Sequence, residues 1–189
     1  VTWVLARGVV HGIETLAKYA MPLLFIFALV LVVRVFTLGT PDPSMPDRSV
    51  MAGFAFIWNP DLSQLTNGSV WLAAAGQIFF SLGIGIGSMQ TYASYLRAKE
   101  DVALTGLTTS MSNGFAEVVL GSSIAIPVAV AFFGITATQA IAGGGSFDLG
   151  FASMPLIFQQ LPMGQLFGML WFGLLFFAGI TSTVALTQT

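Results

Sequence analysis

Four stretches of this chain, 19–38, 70–95, 102–134 and 165–189, run almost without charge. About twenty apolar residues in a helix cross the hydrocarbon of a bilayer. Hydrocarbon offers no hydrogen bonds, so a spanning backbone must satisfy itself as a helix or a closed barrel. Barrel strands alternate apolar and polar residues, and none of the four stretches does. The chain therefore reads as an all-α polytopic membrane protein with no separate soluble domain. Composition agrees, at 56% hydrophobic and 7% charged, against roughly 25% charged in soluble domains. A net charge of -2 provides no basic surface for nucleic acid. The absence of cysteine excludes disulfides, thiol nucleophiles and iron–sulfur ligation. The single histidine, His11, leaves no His-rich metal site and no Ser-His-Asp set, so an enzyme is not expected.

The second stretch contains Gly83-Ile84-Gly85-Ile86-Gly87. Each glycine inside a helix costs about 1 kcal/mol against alanine, so the run gives up about 3 kcal/mol of local helicity. Broken helices survive at membrane depth only against protein or a watery cavity, and secondary transporters build binding sites there. Gly83 and Gly87 also form a GxxxG pair, the small-residue spacing of close helix packing. Spacing alone leaves both readings open.

The links between stretches differ in charge. Arg7 and Lys18 precede the first stretch, and Arg97 and Lys99 lie in the short link 97–101. By the positive-inside rule these links face the cytoplasm. The proline-rich link 39–60 and the connector 134–164 then face outside, with Trp58 and Trp71 in an outer aromatic belt. Within the connector, 136–142 and 151–161 read as short helical pieces separated by Gly143-Gly144-Gly145. The apolar residues Phe147, Phe151, Met154, Leu156, Ile157 and Phe158 argue that it packs against something. Residues 1–6 read as the last turns of a helix, Val1 is not a start methionine, and helical pattern persists to Thr189. The chain is expected to be an internal piece of a larger protein.

Polar groups at membrane depth are few. Glu117 lies inside the third stretch, four residues after Asn113 and so on its helix face. Intramembrane carboxylates face a cavity or a partner; the simpler reading is a protonated glutamate joining helices. Gln77 and Ser81 stand four apart, just before the glycines, and Thr181-Ser182-Thr183 follow Ala178-Gly179 in the fourth stretch. Hydroxyls in membrane helices often bond only their own backbone.

Taken together, 77–87, Thr91-Tyr92-Ala93-Ser94-Tyr95, Ala116-Glu117-Val118, 126–134 and 175–182 resemble the neurotransmitter:sodium symporters, most closely their bacterial amino-acid transporters. The resemblance implies a fragment of the leucine-transporter-like inverted-repeat fold. It would hold the end of the family's fourth helix, the fifth to seventh, and most of the eighth. The remaining helices of the same protein would complete it.

The same resemblance implies roles residue by residue. Phe80 matches the aromatic that closes over substrate, and Gly83 and Ile86 match positions along its side chain. Ser81 and Ser182 also fall among the matched substrate-site positions. Ser81 and Asn113 match ligands of one sodium ion; Ala178, Thr181 and Ser182 match ligands of a second. Both sites are incomplete without the first helix. Gln77, Ser81 and Glu117 match the chloride region, with Glu117 standing where chloride-dependent animal relatives carry serine, so chloride is not expected to be required. Tyr95 and Gln188 match a cytoplasmic gate pair. The implied activity is sodium-coupled symport of an apolar amino acid by a multi-pass protein of the bacterial cytoplasmic membrane. A pore subunit lined by Glu117 and Asn113, or an assembly protein using the glycines only for packing, are the alternatives.

Overall fold

The computed structural model describes residues 1–145 and 147–188. Among these there is no strand. Helix α1 (Thr2–Ala6) and a π-helical turn (Val9–Glu14) lead into α2 (Thr15–Phe36). α3 (Val50–Trp58) and a 3-10 turn (Leu62–Thr66) precede α4 (Gly68–Ser81), and α5 (Ser88–Ala93) follows after a break. α6 (Val102–Gly114), a π-helical segment (Phe115–Gly121) and α7 (Ser122–Phe133) make one long helix. The connector holds α8 (Ile135–Gly144), a π-helical segment (Asp148–Ser153) and α9 (Met154–Gln160) before α10 (Gly164–Gln188). Three helices, His11–Phe36, Val102–Phe133 and Gly164–Gln188, are long and apolar enough to cross a membrane. Thr189, the last residue assigned to the fourth stretch, lies outside the described residues.

The chain forms two compact units that interleave along the sequence. One comprises Val1–Met21, Asp61–Ala116 and Ala178–Thr189. Within it, helix starts are set by side-chain caps: the Ser69 amide donates to Asn67 Oδ1 (3.1 Å) at α4, and the Leu104 amide to Asp101 Oδ1 (2.9 Å) at α6. Such caps satisfy amides that a helix leaves without an internal partner. Trp71 Nε1 donates to the Leu65 carbonyl at 2.8 Å, tying the first turn of α4 to the 3-10 turn before it.

The second unit comprises Pro22–Pro60 and Glu117–Phe177. Its core gathers Leu31 and Val35 of α2, Val50 of α3, Ile124, Val128 and Ala129 of α7, Met154 and Ile157 of α9, and Trp171 of α10. Helix α3 lies along α7 so closely that a methyl group at Gly53 would stand 2.4 Å from Pro127 Cα. Only glycine fits there. Trp171 Nε1 donates to the Gly150 carbonyl at 3.0 Å and so joins α10 to the connector.

Three expectations need correction here. The link 39–60 is more than a proline-rich loop: most of its second half is α3, capped by Ser49 Oγ, which accepts from the Ala52 amide at 3.1 Å. In the connector, Met154, Ile157 and Phe158 are buried, whereas Phe147, Phe151 and Leu156 are exposed. Phe147 stacks on Phe151 at 4.8 Å instead. The glycine triplet also ends its helix later than expected, because α8 runs through Gly144 and turns at Gly145, where φ is +115°.

Candidate functional site

The break in the second stretch begins at Ser81, the last residue of α4. Gly83, Gly85 and Gly87 have φ of +64°, +90° and +90°. Residues with a Cβ lose about 1–2 kcal/mol in this region, and glycine does not. A methyl group at Gly83 would meet only Ser88 Oγ, at 3.5 Å, and one at Gly85 would meet nothing within 4 Å. Within the described residues these two glycines are therefore required by backbone conformation and not by close packing. The Leu82, Gly83 and Ile84 amides still donate to the carbonyls of Ile78, Phe80 and Phe79, each at 3.0 Å. The chain then re-enters a helix at Ser88, where the Thr91 amide and hydroxyl both donate to the Gly87 carbonyl at 3.1 Å.

The hydroxyl at the edge of the break meets the amide near the end of α6. Asn113 Nδ2 donates to Ser81 Oγ at 2.7 Å and lies 3.5 Å from the Ser81 carbonyl. Both residues are half-buried. Phe80, by contrast, is 76% exposed, and Gln77 and Ile86 are exposed as well. Glu117 is exposed in the described chain. It also lies in the π-helical segment Phe115–Gly121, whose wider turns disturb the four-residue register with Asn113. The boundary between the two units falls at Glu117, the first residue of a segment of the second, while Ser81, Asn113 and Gln77 are counted in the first.

In α10, Thr181 Oγ1 donates to the Ala178 carbonyl at 3.1 Å, while Ser182 is exposed. Thr183 bonds the Gly179 carbonyl at 2.7 Å, the self-satisfied arrangement common for hydroxyls in apolar helices. At the end of α10, Gln188 Nε2 donates to Tyr95 Oη at 2.9 Å, joining residues 93 positions apart. Among the described residues no three His, Cys, Asp or Glu side chains gather as a metal-binding group. The donors brought together are instead neutral hydroxyl, amide and carbonyl groups. A monovalent hard cation accepts such oxygens from broken helices.

Sequence reasoning passed over a polar cavity in the second unit. It has a volume of about 430 Å³ and is lined by Asp42 and Arg48 from the segment before α3, Phe132 of α7, and Gln160 and Leu161 at the end of α9. The signal was Gly134, whose φ of +82° turns the chain between α7 and α8. A methyl group there would stand 3.3 Å from Arg48 Nε. Read only as the end of an apolar stretch, Gly134 gave no hint of that arginine.

Comparison with known proteins adds a family. A model of the sodium:neurotransmitter symporter family matches residues 1–189. An uncharacterized sodium-dependent transporter of Haemophilus influenzae is 33% identical over 98% of this chain and 36% of its own length. One from Methanocaldococcus jannaschii is 32% identical over 100% of this chain and 37% of its own length. A sodium- and chloride-dependent GABA transporter of Drosophila melanogaster is 30% identical over 87% of this chain and 16% of its own length. The chain thus spans little more than a third of the two prokaryotic relatives.

Proposed function

Because the chain belongs to the sodium:neurotransmitter symporter family, we propose that the complete protein couples sodium entry to uptake of an apolar amino acid by alternating access. The observation that carries this reading is the break itself. Three positive-φ glycines end α4 at Ser81, and the Asn113 amide holds the Ser81 hydroxyl at 2.7 Å. The names of the prokaryotic relatives, both sodium-dependent transporters, support the ion.

In this proposal Ser81 and Asn113 contribute to one sodium site, and Ala178, Thr181 and Ser182 to another, each completed by further helices of the protein. Phe80 closes over the substrate, whose side chain runs past Gly83 and Ile86. Gly83 leaves room for a medium or large side chain, and Ile86 favours an apolar one. The Tyr95–Gln188 hydrogen bond holds a cytoplasmic gate shut. Glu117 replaces chloride as the negative charge offsetting sodium. No covalent step is needed: sodium binds one state better than the other and shifts the population toward it. In this reading the protein lies in the cytoplasmic membrane of a bacterium, with an apolar amino acid and the lipid bilayer as its partners.

The test is uptake of radiolabelled leucine, phenylalanine and tryptophan by the complete protein in proteoliposomes, with an inward sodium gradient. Sodium-driven uptake of at least one of them is expected. Replacing Gly83 by Leu should exclude the larger substrates before the smaller. Equal uptake without sodium, or preference for glycine or a charged amino acid, refutes the assignment. Uncoupled, non-saturating flux would favour the pore alternative.

A further inference from the structure

We propose that the cavity at Asp42, Arg48 and Gln160 is a second, sodium-independent binding site for a small zwitterion carrying one carboxylate and one ammonium group. Every lining residue belongs to the second unit, whereas Ser81, Asn113 and Thr181 belong to the first. The site therefore stands on its own geometry and does not rest on the transport reading. Its volume, about 430 Å³, falls in the range of small-molecule pockets.

The two charges facing this cavity make no direct ion pair among the described residues, although Arg48 acts on the Asp42 carboxylate through space and adds to the lowering of its pKa. The Arg48 guanidinium makes no hydrogen bond or ion pair among the described residues, although the residue is half-buried. Its stem lies against the backbone of Gly134, where a methyl group would stand 3.3 Å from Nε and 3.8 Å from Cγ. The close approach of the stem, which a side chain at position 134 would obstruct, sets the start of the guanidinium beside Gly134. A guanidinium presents a planar fork that matches a carboxylate.

Asp42 supplies the opposite charge at the rim. Its Oδ1 accepts from the Ser44 amide (2.9 Å) and hydroxyl (2.6 Å), which anchor the carboxylate. Those bonds lower its pKa below the usual carboxylate value, so it is ionised at neutral pH. A plain anion would be attracted by Arg48 and repelled by Asp42, and a plain cation the reverse. A zwitterion answers both. Leu38, Phe132 and Leu161 leave an apolar wall for its remaining carbon atoms.

Equilibrium dialysis of the complete protein in nanodiscs, in sodium-free buffer, tests this. The probes are radiolabelled leucine, leucinamide (no carboxylate) and 4-methylpentanoate (no ammonium). Leucine is expected to bind more tightly than either analogue. Arg48→Gln should weaken leucine about tenfold or more while leaving leucinamide unchanged. Asp42→Asn should weaken leucine and leave 4-methylpentanoate unchanged or tighter. Arg48→Lys, which keeps the charge and loses the fork, should fall between wild type and Arg48→Gln. Sodium-driven uptake should survive in all three variants, which separates this site from the transport site. Absence of sodium-free leucine binding overturns the proposal. So does unchanged leucine binding in Arg48→Gln, or equal loss of all three probes, which would mark general damage instead of a lost carboxylate contact.

Discussion

Ser81 and Asn113 show how much rests on single atoms. Their contact joins positions 32 apart, and no local spacing reveals such a meeting; only the resemblance to a family paired them beforehand. If both contribute to one sodium site and Thr181 to another, Ser81→Ala and Thr181→Ala should each weaken sodium-driven uptake by the complete protein. Losing one oxygen ligand should cost about 1–3 kcal/mol, roughly 5- to 150-fold in apparent sodium affinity. Sodium titrations that superimpose on wild type in both variants would remove the assignment. Glu117 is a separate case. If its carboxylate stands in for a bound anion, as proposed, uptake by the complete protein should not need chloride, and Glu117→Ser should make it chloride-dependent. Uptake measured in chloride and in gluconate decides this, and an active serine variant indifferent to chloride returns Glu117 to a packing role.

At the scale of elements, the alternating glycines were legible because no regular helix benefits from them. Helix α3 was not, although Ser49 caps it and its residues are apolar. The four prolines around it, Pro41, Pro43, Pro46 and Pro60, read as a loop and masked a short helix between them. The π-helical segment around Glu117 was also invisible, because an unbroken apolar run has no period against which an extra residue stands out. The contact between α3 and α7 makes a sharp prediction. In Gly53→Ala the new methyl group meets Pro127 backbone, which cannot rotate away as a flexible side chain would. The two helices must separate, at a cost of about 1–3 kcal/mol. A lower thermal unfolding midpoint in detergent is expected for this variant, and no fall for Gly76→Ala, where nothing lies within 4 Å and alanine favours the helix.

For the whole molecule, orientation in the bilayer follows from few charges. Arg97 and Lys99 share one short link, and Arg7 and Lys18 precede α2. Placing both links in the cytoplasm puts Asp61 on the outer side. Residues 1–189 hold no cysteine, so with any cysteine elsewhere in the complete protein replaced, single cysteines introduced here report their own accessibility. In intact cells, an impermeant maleimide should label Asp61→Cys and leave Glu100→Cys unlabelled until the membrane is opened. The reverse pattern would invert the topology and exchange the proposed cytoplasmic gate for an outer one. The uninterrupted helices were legible at this scale from length and hydropathy. The interleaving of two units was not, since it depends on contacts among segments far apart in sequence.

Glycine is the one residue identical to its own mirror image, and the break after α4 makes use of that fact. At Gly85, with φ of +90° and no neighbour within 4 Å of an added methyl group, size is no barrier to substitution; chirality is. A semisynthetic protein carrying D-alanine there should keep the bend and even stiffen it, because the D-residue favours positive φ and narrows the alternatives. Its L-isomer, built from the same atoms, should press the chain back toward an unbroken helix. Comparing the two stereoisomers would separate the shape of the backbone at this point from everything else that a mutation changes.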